Sequence, residues 1–200
     1  MDNNRRIRPY HPADLTALYR ICLQTAHSGK DASHLFDDPD LIGHIFAAPY
    51  AIFEPEHCFV LTEQEQPIGY ILGTRDSEAF SEWCEEQWFP PLRTRYPLPQ
   101  IPDESFQTRI LHLLHKGHQV NEDFADYPAH LHIDLLPVAQ GGGLGRKMMQ
   151  VFLDALKRAN VSAVHLQVGK SNSGAIQFYQ KLGFSEIKNY EKSIAFGMLL

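Results

Sequence analysis

The chain has no apolar run approaching the roughly 20 residues that a membrane-spanning helix requires. Its first residues, Met1-Asp2-Asn3-Asn4-Arg5-Arg6, lack the apolar core of a secretory signal. A cytoplasmic location and no membrane partner are therefore expected. Cysteine is scarce: Cys22, Cys58 and Cys84 are odd in number and have no CxxC spacing. This argues against a disulfide framework and predicts three reduced, buried thiols. Positive charge is also short. The formal net charge of −6 disfavours nucleic acid as a partner and suits a cationic substrate. Repeats and low-complexity tracts are absent, and residues 1–200 are expected to form one domain.

Hydrophobic spacing supplies the elements. Residues 6–8 read as a short strand closed by Pro9. A helix starting at Pro12 or Asp14 carries Leu15, Leu18, Tyr19, Cys22 and Leu23 at helical spacing. Gly29-Lys30-Asp31 is a loop. A short helix is expected over 39–47, stopped by Pro49. Strands at 58–62 and 68–73 flank a polar turn at 63–67.

Residues 74–129 differ in character. They contain Pro90, Pro91, Pro97, Pro99 and Pro102, the tryptophans Trp83 and Trp88, and an amphipathic stretch at 105–118. Acidic residues there outnumber Lys and Arg by ten to five. Aromatic residues are too frequent for a solvated linker, so an ordered insertion over one side of the core is expected.

The last third alternates cleanly. A strand at 130–136 ends at Pro137, and a glycine turn at 141–143 leads into a helix over 144–159. A strand at 163–168, a helix at 174–182 closed by Gly183, and a strand at 194–200 follow.

The segment Gln140-Gly141-Gly142-Gly143-Leu144-Gly145 lies between a strand and a helix. Glycine allows positive φ and leaves no Cβ to block a ligand. The first N–H groups of the helix have no intrahelical partner and sit at the positive end of its dipole, which makes a phosphate site. Arg146 and Lys147 add charge. A plain tight turn would account for the glycines equally well. A dinucleotide-binding turn fits worse, because Arg146 stands where G-x-G-x-x-G needs its third glycine.

A second motif follows the next strand. It runs from Asn172-Ser173-Gly174 through Phe178-Tyr179 to Gly183-Phe184. The two motifs together, in this order and at this separation, resemble the GNAT superfamily of N-acetyltransferases. The pattern HLHIDLLP at 130–137, with Gly43-His44-Ile45, Ala48-Pro49-Tyr50 and Leu92-Arg93-Thr94-Arg95-Tyr96-Pro97, is similar to the acetyltransferase-like domain of protein O-GlcNAc hydrolases and its free-standing bacterial relatives.

The resemblance implies an α/β GNAT fold: a mixed, V-splayed central sheet flanked by helices, with the insertion between the third and fourth strands. It implies acetyl-CoA as co-substrate and no metal. Main-chain groups of Ile133 and Leu135 would pair with pantetheine. Gln140, Gly141, Gly142, Gly143, Leu144, Gly145 and Arg146 would hold the pyrophosphate, and Asn172 the cofactor arm. Tyr179 would protonate the leaving thiolate, or else simply pack in the core. The acceptor would be a small-molecule amine or a protein lysine, and a homodimer is compatible with the pattern.

Some GNAT members carry a Glu near the start of the fourth strand. Here that neighbourhood is Ala129-His130. His130, His132 and Asp134 share one strand face, so Asp134 or His132 is the candidate base, with a structural role as the alternative for each. Asp31, Trp83 and Trp88 are candidates for holding the acceptor. His112, His115 and His118 are spread around a helix, which is a poor zinc pattern. The competing reading is a non-catalytic acyl-CoA-binding or interaction domain.

Overall fold

The computed structural model describes residues 4–101, 103–118 and 121–200. Met1 to Asn3, used in the signal-peptide argument, and Pro102 of the insertion lie outside them. β1 (Arg5–Pro9) leads through a 3₁₀ turn into α1 (Leu15–Thr25). α2 (Gly43–Phe46) and α3 (Ala48–Phe53) follow. The expected helix over 39–47 forms only in its last turn, and Pro49 does not stop it. The chain breaks instead at Ala47 (φ −131°, ψ −64°), and Pro49 sits in the first turn of α3, where a missing N–H costs nothing.

β2 (Cys58–Glu63) and β3 (Gln66–Thr74) form a hairpin. Its turn is tighter than the polar segment suggested. Gln64 and Glu65 alone make it, both at positive φ, which matches the twist of the two strands.

The insertion is ordered wherever it is described. It contains α4 (Ser77–Trp83), a π turn at Cys84–Trp88, α5 (Phe89–Arg95) and α6 (Phe106–Lys116). Phe80, Phe89, Ile110 and Leu114 bury it against the sheet, and Arg93 grips Glu85 through two hydrogen bonds of 2.8 and 2.9 Å.

β4 (Ala129–Leu135), α7 (Leu144–Arg158), β5 (Ala163–Gly169) and α8 (Ser173–Leu182) follow. Asn172 caps α8 by accepting the Ala175 N–H at 3.1 Å, and Gly183 (φ +95°) closes it. β6 (Ser185–Asn189) and β7 (Ser193–Leu199) end the described chain. β6 escaped the sequence reading because it is a polar edge strand with a bulge and shows no alternating apolar face.

The seven strands form one mixed sheet in the order β1-β2-β3-β4-β5-β7-β6. Every neighbouring pair is antiparallel except β4 and β5. Alternation along the strands divides the core between two faces. Tyr70 and Leu72 pack with α1 to α3 and the insertion, whereas Ile71 and Leu131 pack with Met148, Phe152 and Leu156 of α7. The parallel pair touches only at Ala129↔Val164 and His130↔His165. β4 and β5 then part, and the gap between them is the site. Among the described residues, no helix is long and apolar enough to cross a membrane.

Candidate active site

The parting strands open a cleft of about 1940 Å³. Its inner edge is the main chain of β4. Leu136 donates its N–H to Ile68 O at 3.0 Å. Main-chain groups alternate sides along a strand, so His130, His132 and Asp134 turn theirs toward β3. Leu131, Ile133 and Leu135 turn theirs toward β5, which pairs no further than His130. Ile133 and Leu135 therefore present main-chain donors and acceptors to the cleft, the template on which an extended ligand adds like a strand. Gln140 Nε2 donates to the Leu135 carbonyl at 3.0 Å.

At the mouth stands the glycine turn. Gly141, Gly142 and Gly143 lie at φ +82°, +58° and +75°. A Cβ at any of the three would meet nothing within 4 Å, so the left-handed backbone, and not lack of room, calls for glycine. The N–H groups of Gly142, Gly143, Gly145 and Arg146 have no main-chain acceptor among the described residues. They gather at the positive end of the 15-residue helix α7. Arg146 lays its guanidinium on the Lys181 carbonyl (3.1 Å), and Lys181 and Lys192 also line the cleft. Asn172 lines the cleft as well, whereas Leu144 and Gly142 are not among its lining residues. This donor set suits a pyrophosphate joined to an amide-bearing arm.

At the inner end Tyr179 is buried between Phe184 and Phe196, and its ring lines the cleft. Its hydroxyl has no hydrogen-bond partner among the described residues. Burial, and then the nearby Asp134 carboxylate, push its pKa up, so the phenol holds its proton. Asp134 accepts the Tyr70 hydroxyl at 2.7 Å, and burial raises its pKa. His132 Nε2 lies 3.2 Å from the Tyr50 hydroxyl. Burial pulls the His132 pKa down to about 4, so the ring is neutral near pH 7.

The structure brings Tyr179, Asp134 and His132 together with the β4 main chain and the glycine turn. It does not bring Asp31, Trp83 or Trp88 to the cleft. Asp31 is exposed and accepts from Ser33 N (2.8 Å) and Ser33 Oγ (2.6 Å), a local turn that engages its carboxylate. Trp83 and Trp88 stack at 5.7 Å and pack on the first core cluster, and Trp88 Nε1 donates to His44 O at 2.8 Å. Of the three histidines expected on one helix, only His112 and His115 lie in α6, which ends before His118. His115 Nε2 is 2.8 Å from Tyr96 O, while His118 packs against Phe80 and Phe89. Glu54, Glu56 and His57 form a metal-compatible group among the described residues, but Arg75 already neutralises Glu54 at 2.9 Å. Sequence reading missed Tyr50, Tyr70 and Ser77 as cleft partners. Tyr70 had one signal: the period-2 pattern of β3 puts it on the sheet face that Asp134 shares as its register partner.

Residues 114–184 match the acetyltransferase (GNAT) family. The crystal structure of SsHAT is 42% identical, covers 98% of this chain and 98% of its own, and superimposes with a TM-score of 0.93. The chain belongs to the GNAT acetyltransferase family. The protein O-GlcNAcase of Rattus norvegicus is 28% identical over 188 residues, which are 92% of this chain and 20% of that protein. This GNAT chain thus spans about a fifth of the length of the first curated relatives it matches. At 16% identity and a TM-score of 0.56, the structure of yncA from Salmonella typhimurium, with its cofactor acetyl-CoA, shares the GNAT fold over 99% of this chain and 95% of its own.

The glycine turn makes a direct test of the GNAT cleft. A Cβ at Gly145 would sit 3.2 Å from the Phe178 ring and 3.4 Å from Leu135 Cδ1, so a bulky residue presses on these two side chains and displaces the turn that carries the N–H groups. Gly145→Val is expected to weaken acetyl-CoA binding roughly tenfold to a hundredfold, the loss of one or two hydrogen bonds to a charged group. Titration calorimetry on the folded variant checks this. Unchanged affinity would remove the pyrophosphate assignment.

Proposed function

We propose that this chain is an N-acetyltransferase that moves acetyl from acetyl-CoA to a primary amine by direct attack in a ternary complex. The observation that carries the reading is one continuous cleft. It joins the free N–H groups of the glycine turn, the cleft-facing main chain of Ile133 and Leu135, and the side chains of Tyr179, Asp134 and His132.

Acetyl-CoA supplies an acetyl group activated as a thioester. The main chain of β4 orients the bound arm, and the turn anchors its phosphates. His132 takes the proton that the amine loses, Asp134 favours a cationic acceptor at the floor, and Tyr179 protonates the departing sulfur. Ser77, Phe89, Phe106 and Ile110 of the insertion line the cleft, so the insertion builds the acceptor side, open to a small amine or a protein lysine. One observation favours a second reading, an acyl-CoA-binding module without turnover: Asp134 and His132 both already engage tyrosine hydroxyls.

A panel of primary amines incubated with acetyl-CoA and purified protein, read as CoA release, separates the two. An amine-dependent signal is expected. Tight acetyl-CoA binding with no release for any small amine or lysine peptide would favour the binding module.

A further inference from the structure

Either ring nitrogen of a neutral histidine can carry the proton, and only the bare one can act as a base. Around His132 the choice is made by a chain of hydrogen bonds that starts at a main-chain carbonyl. Ser77 Oγ lies 2.7 Å from Pro128 O. Two oxygens that close repel unless a hydrogen lies between them, so the Ser77 hydroxyl donates to Pro128 O. The same Oγ is 2.7 Å from His130 Nδ1. With its own proton committed, Oγ accepts, and His130 carries its hydrogen on Nδ1. Burial keeps His130 neutral, so its Nε2 is bare. The Tyr50 hydroxyl, 2.8 Å from that Nε2, donates to it. The Tyr50 oxygen then accepts from His132 Nε2 at 3.2 Å, which places the proton of His132 on Nε2. His132 Nδ1 has no partner among the described residues, and the ring lines the cleft.

Packing holds the members in place. Tyr50 stacks on Phe80 with centroids 4.3 Å apart and meets His130 and His132 edge-on at 5.3 and 5.2 Å. These contacts restrict each ring to the orientation its hydrogen bond needs.

We propose that Ser77, His130 and Tyr50 are positioning residues that lock His132 in its Nε2–H tautomer and present the Nδ1 lone pair to the cleft. The lock deepens the acetyltransferase reading and rests on it for its consequence. The proton leaving the amine nitrogen bonds to Nδ1 and the N–H pair stays on nitrogen, whose C–N bond forms as the thioester C–S bond breaks with its pair on sulfur; Tyr179 protonates that sulfur and is reprotonated from solvent, to which the imidazolium returns its proton. His132 then donates more strongly to Tyr50, so the same chain stabilises the charged ring.

The test is histidine-labelled ¹⁵N NMR of the full chain without ligand near pH 7.5, for the wild type, Tyr50→Phe and Ser77→Ala. In the wild type, His132 is expected to show a protonated Nε2 and an unprotonated Nδ1. Each variant is expected to lose that single tautomer. With the amine found by the CoA-release panel, each variant should turn over at least about tenfold more slowly, with acetyl-CoA affinity unchanged. A protonated Nδ1 in the wild type, or the same single tautomer in all three proteins, overturns the lock. A scrambled tautomer with full turnover leaves the lock standing and removes His132 as the base. Ser77 lies in the first turn of a surface helix, so its variant keeps the test available should Tyr50→Phe fail to fold.

Discussion

Tyr179→Phe is expected to lower turnover by roughly 10²-fold or more while leaving acetyl-CoA affinity nearly unchanged. The substitution keeps the ring, and with it the contacts to Phe184 and Phe196 at 5.8 and 6.2 Å. The hydroxyl that is lost has no hydrogen-bond partner among the described residues, so its removal strands no buried group and the fold should tolerate it. What disappears is a proton held ready at the inner end of the cleft. Desolvation keeps the phenol protonated, and the Asp134 charge adds to the effect. Without it the thiolate must leave unprotonated or wait for water. Steady-state kinetics with the best amine, paired with calorimetry for acetyl-CoA, separates the outcomes. Equal turnover in variant and wild type would assign Tyr179 to packing alone.

A steep loss of stability under mild acid is the second large effect expected. His118 and His132 each have a folded pKa near 4 against an ordinary value of 6.5, both because burial disfavours the charged ring. His130 and His165 shift the same way. A depressed pKa means the unfolded chain binds more protons between the two values. Stability is therefore intact above about pH 6.5 and falls as the pH drops toward 4. Each such histidine contributes a slope of about 1.4 kcal/mol per pH unit in that window.

Asp134 opposes this trend, since its raised pKa favours the folded state as the pH falls, but it is one group against several. A domain with about 5–15 kcal/mol of total stability should then unfold before pH 4. Urea unfolding followed by circular dichroism from pH 7.5 to 4.5 checks this, with His118→Phe expected to flatten the slope. A midpoint constant between pH 6.5 and 5 would contradict the buried neutral cluster.

The geometry of the glycine turn and of the helix after it was legible in the sequence because it is local. Gln140 to Arg146 turns, caps and starts a helix within seven residues, and the same backbone that makes the turn leaves the N–H groups proposed to hold phosphate. Asn172, Tyr179 and Gly183 are likewise fixed within one helix. The part of the cleft proposed for the acceptor was not legible because distant segments assemble it. Tyr70 meets Asp134 across 64 residues, Ser77 meets His130 across 53, and Tyr50 meets His130 across 80. No periodicity encodes such pairs.

Asp31, Trp83 and Trp88 were attractive for their chemistry, but a loop carboxylate and two large aromatics carry no sign of which face they join. Asp31 closed its own turn, and the tryptophans stacked on each other. Pro49 shows the reverse error: proline was read as a stop where helix geometry accepts it as a start.

The seam between β4 and β5 has a mechanical meaning. β3 and β4 share six register pairs and β5 and β7 share seven, whereas β4 and β5 share two. The sheet is thus two stiff plates riveted at one corner, and the rivet is Ala129 and His130. His130 is also the middle ring between Ser77 and Tyr50, and its ring lies 5.5 Å from that of His165 on the opposite plate. The residue at which the plates join is therefore the one whose imidazole links Ser77 to Tyr50. An acyl donor bound as proposed, along the open edge of β4, would act as a splint across the part of the seam that no hydrogen bonds close.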